Sequence, residues 1–93
     1  MYNRYREIKN IYKDYLIFIK RENGDYKLFD KDKQIFDYLN LKKINFLKIY
    51  EINYLILDNL DIIEKYEYEN NKYYEYYIKV LLINTIKNIE RNI

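Results

Sequence analysis

The sequence predicts a small α+β domain, an antiparallel sheet built from two hairpins with helices packed on one face. Three observations predict it. Asn23-Gly24 separates two runs rich in β-branched and aromatic residues, and a second tyrosine-rich run straddles Asn70-Asn71. Apolar residues three and four apart both open and close the chain, the spacing of one face of a helix.

The opening segment reads as a helix capped by Asn3, with Tyr5, Ile8 and Tyr12 on one stripe. Asn-Gly tolerates the positive φ of a tight type I′ turn, so residues 15–22 should pair with residues 25–29. Asp30 or Asp32 then caps a short helix through Asn40, turning Ile35, Phe36 and Leu39 inward. Asn40 suits the left-handed conformation that ends helices. INFLKIYEINYLIL reads as one strand or as two with a bend, and Asp58-Asn59 as a turn. DIIEKY could begin a short helix. Alternation then predicts the second hairpin, around Asn70-Asn71. A last helix carries Leu82, Ile86, Ile89 and Ile93 as its inward stripe.

Ninety-three residues are one domain's worth, 1–93, and 49% hydrophobic content can furnish one core. The longest apolar runs fall far short of the roughly 20 residues of a membrane span. The start is charged and lacks the apolar stretch of a signal peptide, so a cytoplasmic setting is expected, and no membrane partner. With no Cys the chain has neither disulfides nor thiolate metal sites.

Catalysis needs a nucleophile, a proton carrier or a metal. His, Cys and Ser are absent, and Thr85 is the only aliphatic hydroxyl. Asp30 and Asp32 flank Lys31, a grouping that can hold Mg²⁺ in a nuclease but more simply favours a helix start. A single Gly rules out phosphate-cradling loops. The expectation is no enzyme, no metal and no cofactor.

The run DYLIFIKRENGDYKLFDKDKQIFDYLNL resembles the opening of the mismatch-recognition domain of MutS proteins, with Gly24, Asp25, Tyr26, Lys27, Leu28 and Phe29 in the place of that family's strand. The resemblance covers under a third of the chain, and the family's base-contacting Phe and Glu are not both retained.

Charge and tyrosine are the remaining signals. The net charge of +2 is too near neutral for a dedicated nucleic-acid binder judged by charge alone. Fourteen tyrosines are many for 93 residues, even with a composition typical of AT-rich codons. Tyrosine supplies rigid amphipathic contact area, and carboxylates select a basic partner. Glu64, Tyr66, Glu67, Tyr68, Glu69, Tyr73, Glu75 and Tyr77 are therefore the expected partner-binding residues. The function expected from these features is a non-catalytic protein-interaction domain. It suits a phage or mobile-element inhibitor, anti-CRISPR-like, of a host nucleic-acid-binding defence protein. The alternatives are a small DNA- or RNA-binding protein using Arg4, Arg6, Lys9 and Lys13, or a homo-oligomeric structural subunit.

Overall fold

The computed structural model describes residues 1–41 and 43–91. The chain runs α1 (Tyr2–Ile11), β1 (Leu16–Lys20), β2 (Tyr26–Lys27), α2 (Asp30–Leu39), a 3₁₀ turn (Ile44–Phe46), α3 (Leu47–Tyr50), β3 (Tyr54–Asp58), β4 (Asp61–Tyr66) and α4 (Tyr73–Arg91). The four strands form one sheet in the order β2-β1-β3-β4. It is an α+β fold with a mostly antiparallel sheet and helices packed against it, as the sequence predicts. The sheet is mixed rather than wholly antiparallel, the helices lie on both faces rather than one, and only the Asn23-Gly24 hairpin forms where expected.

The first hairpin closes on the Asn-Gly pair. Gly24 has φ +87°, and the Asn23 side chain accepts the Asp25 N–H at 3.1 Å. The paired strands are shorter than expected, with Ile19 opposite Lys27 and Lys20 opposite Tyr26. The second hairpin joins β3 to β4 through Asn59 and Leu60, both at positive φ. DIIEKY is thus a strand and not the start of a helix. The two hairpins are joined side by side by a parallel pairing of β1 with β3, from Leu16 opposite Tyr54 to Ile19 opposite Leu57.

Alternation along β1 and β3 feeds two cores. Leu16, Phe18, Tyr54 and Ile56 face α2, α3 and α4, where they meet Ile35, Leu39, Leu47 and Val80. Ile17, Ile19, Leu55 and Leu57 face the other way and are covered by Tyr5 and Ile8 of α1. Helices therefore lie on both faces, α1 alone on the second. That is why both central strands read as unbroken apolar runs.

Several local expectations are corrected. Residues 44–50 are helical turns, not strand; only Tyr54–Asp58 pairs in the sheet. Helix α1 begins at Tyr2, which places Asn3 inside it rather than at its cap, and α2 has no side-chain cap hydrogen bond. Asn40 does end α2 in the left-handed conformation, φ 51° and ψ 42°.

The hairpin expected around Asn70-Asn71 does not form. β4 already occupies the free side of β3, and Tyr73–Arg91 are helical. Asn71 explains the switch. Its side-chain oxygen accepts the N–H groups of Tyr73 (3.2 Å) and Asn53 (2.9 Å), while its amide donates to the Asp14 carbonyl at 2.9 Å. One side chain thus satisfies a first-turn donor of α4 and fastens that turn to the entries of β1 and β3.

Candidate functional site

The predicted binding residues do not share one face. Glu64 and Tyr66 lie on β4, where the Tyr66 ring stacks on Tyr54 at 4.7 Å. The desolvated hydroxyl of Tyr54 has its pKa pushed up to about 12. Glu67 accepts a hydrogen bond from Tyr15 and pairs with Lys65 at 3.3 Å; the Tyr15 hydroxyl holds its carboxyl below the usual range. Tyr68 is half-buried, its backbone N–H bonded to the Asn53 side chain at 2.7 Å. Glu69 and Glu75 are exposed. Tyr73, at 1% exposure, belongs to the core, with Tyr77 packed against its ring. The first turns of α4 divide what alternation would have joined.

The four basic residues of the N-terminal segment, three on α1 and Lys13 just past its end, divide as well. Arg4 pairs with Glu7 at 3.2 Å on the surface. Lys9 turns inward. Its ammonium donates to the Tyr15 carbonyl (2.6 Å), the Asp32 carboxylate (2.8 Å) and the Tyr73 hydroxyl (2.9 Å), which exhausts its three protons. Asp32 is fully buried and also accepts from the Tyr73 and Tyr5 hydroxyls and the Ile17 N–H. Burial pushes the Asp32 carboxyl up and the Lys9 ammonium down, and their mutual attraction opposes both shifts. Burial also raises the hydroxyls of Tyr5 and Tyr73. A carboxylate met by four donors is a structural knot between α1, α2, β1 and α4. Arg6 and Lys13 line a cavity of about 320 Å³ above it, beside Tyr74 and Tyr77.

The feature that sequence reading placed on the wrong side is α4. Tyr73 and Val80 are buried, and Asn84 reaches α2 by a 2.7 Å bond to Gln34. From Leu81 to Arg91 no residue is buried. At about 100° per residue, Leu82 points opposite to Tyr73 and Val80. The stripe of Leu82, Ile86 and Ile89, expected inside, is therefore outside; Ile93 lies beyond the described residues. With Ile78 these side chains are 54–58% exposed, and Leu81 extends the patch on one flank. The helix is apolar on two opposite sides, and only one of them meets the domain. That double pattern was the available signal, because a surface helix normally carries one apolar stripe.

Among the described residues no group of three or more side chains could hold a metal ion, and no helix is long and apolar enough to cross a membrane. No family model, no curated protein and no solved structure matches the chain.

Proposed function

We propose that this chain is a non-catalytic protein-interaction domain whose docking element is the outer face of α4. The observation that carries the reading is the stripe Ile78, Leu82, Ile86 and Ile89, four large aliphatic side chains held in a row on the side of the helix facing away from the core. Scattered surface aliphatics are ordinary, but a contiguous row on a rigid element marks an interaction site. The apolar row fits an amphipathic partner helix, read through anchors three and four residues apart.

The chemistry of the interior supports a binding role over a catalytic one. The half-buried Lys9 and the buried Asp32 neutralise each other, and every proton of Lys9 is already engaged. The carboxylates Glu64, Glu67 and Glu69 remain exposed near β4, so charge can still steer a basic partner, as an inhibitor of a nucleic-acid-binding defence protein would require. A second reading, nucleic-acid binding, is favoured by one observation: Arg6 and Lys13 line a cavity together with the Tyr74 and Tyr77 rings, a pairing of cations and stacking surfaces.

Affinity capture with matched variants tests the proposal. Leu82→Glu with Ile86→Glu should abolish retention of a protein partner while leaving the circular dichroism of the domain unchanged. Glu64→Lys with Glu67→Lys should change the salt dependence of capture more than its extent. Retention lost only in Arg6→Ala with Lys13→Ala, with nucleic acid as the retained species, would install the second reading instead.

A further inference from the structure

We propose that the occupant of the α4 stripe is a second copy of this chain, packed antiparallel about a two-fold axis near Asn84 and Thr85. This rests on the reading of α4 as the docking element and names its partner.

The argument is the self-complementarity of the helix. Ile78, Leu82, Ile86 and Ile89 fall within about 80° of arc, the width of a helix–helix seam. Their positions are nearly palindromic. Leu82 and Ile86 lie two residues either side of Asn84, and Ile78 and Ile89 lie six and five residues away. The charges follow the same symmetry. Lys79 and Glu90 are eleven residues apart, about three turns, so both stand on the same flank of the stripe. In an antiparallel pair the same flanks of the two helices meet. A two-fold between Asn84 and Thr85 then sets Lys79 of each copy level with Glu90 of the other. A symmetric parallel pair would set this flank against the opposite flank of the other copy and keep Lys79 and Glu90 eleven residues apart along the axis, unpaired with each other. Flanking charges of this kind choose orientation in helix pairs.

Nothing among the described residues obstructs the approach. The side of α4 that meets the domain carries Tyr73 and Val80, opposite the stripe, so the second helix lies wholly outside the first domain. From Ile78 to Glu90 the seam runs about 18 Å. A seam of this length falls below the usual span of permanent interfaces, which fits a dimer that forms in the micromolar range rather than an obligate one.

Sedimentation velocity on the full chain, from about 1 μM to about 500 μM, reads the association directly. Wild type should pass from monomer to dimer, and Leu82→Glu with Ile86→Glu should stay monomeric at every concentration with unchanged circular dichroism. Lys79→Glu and Glu90→Lys should each weaken the dimer by about two- to fivefold, and the two together should restore it. Orientation is read by cross-linking, since the chain has no Cys of its own. Thr85→Cys lies at the axis and should link to its own copy through a short bismaleimide. Ile78→Cys should not, because its two copies stand about 20 Å apart along the pair. A wild type that stays monomeric throughout overturns the second-copy proposal, even if a different protein is still captured through the stripe. A dimer that survives Leu82→Glu with Ile86→Glu overturns both readings. Self-linking at Ile78→Cys overturns the antiparallel arrangement.

Discussion

Helix α1 draws a lysine into the protein, whereas helix α4 leaves four aliphatic side chains outside it. Lys9 is enclosed because Asp32, Tyr73 and the Tyr15 carbonyl give each of its protons an acceptor. Ile78, Leu82, Ile86 and Ile89 are left out because the opposite side of α4 has already met the core through Tyr73 and Val80. Residue type alone would have assigned these two places in reverse. What decides burial is the set of partners waiting at the site. A buried charge persists where its hydrogen bonds are complete. An apolar row persists on the surface where the domain has no further layer to cover it.

The largest expected effect breaks the α1 side of this contrast. Lys9→Met leaves the Asp32 carboxylate buried without its counter-charge, a change that typically costs about 3–5 kcal/mol at neutral pH. The loss should depend on pH in a defined sense. Burial already raises the Asp32 pKa, and removing Lys9 raises it further. The folded variant therefore takes up a proton that the unfolded chain, nearer the ordinary value of 3.8, has not yet bound. Its stability deficit against wild type should shrink as pH falls from about 7 towards about 4.5 in urea titrations. A deficit that grows with acidity would mean that Asp32 is not the group left uncompensated.

The next prediction compares one residue type on the two helices. Ile8 is buried under the sheet, so Ile8→Ala should cost about 2–5 kcal/mol. Ile86→Ala, on the outer stripe of α4, should change the stability of the monomer by no more than about 0.5 kcal/mol. Equal losses at dilute concentration would place Ile86 in the core. A smaller effect sharpens the knot itself. Tyr73→Phe keeps the ring in place and removes the hydroxyl shared by Lys9 and Asp32, for a loss of about 1–3 kcal/mol.

The remaining expected effect is a small gain. Leu60 sits at φ 68° in the turn between β3 and β4, behind Asn59 at φ 50°. Leu60→Gly makes this an Asn-Gly turn and should stabilise the protein by about 1 kcal/mol in thermal melts. An unchanged melt would mean the left-handed backbone at Leu60 is not strained.

The same turn shows how far sequence reading reached. Asn23-Gly24 announced the first hairpin because both residues suit positive φ, and Asn40 announced the end of α2 for the same reason. In the first turn only Gly24 takes positive φ, so it is not the type I′ turn expected there. Asn59-Leu60 takes it at both positions, the second with a residue that seldom adopts it, so that hairpin was legible only as a turn. The stretch from Tyr66 to Val80 failed differently. Tyr74, Tyr76, Ile78 and Val80 alternate as a strand would, while Tyr73, Tyr77 and Val80 recur as a helix would. The choice is made by contacts distant in sequence: Asn71 capping α4 and anchoring it to Asp14 and Asn53, and β4 filling the edge of β3. No local pattern contains that information. The stripe of α4 was correctly read as a stripe and placed on the wrong side, because its period says which residues align and not which way they face.

The central claim is that the outer row of α4 serves association and contributes little to the fold of the single chain. Thermal melts as a function of protein concentration test it most directly, since binding that favours the folded form raises the melting temperature with concentration. The account predicts a rise for wild type and a flat line for Leu82→Glu with Ile86→Glu, the two converging at high dilution. A wild-type melting temperature independent of concentration, with the variant melting far below it at every dilution, would contradict the claim and return the stripe to the core.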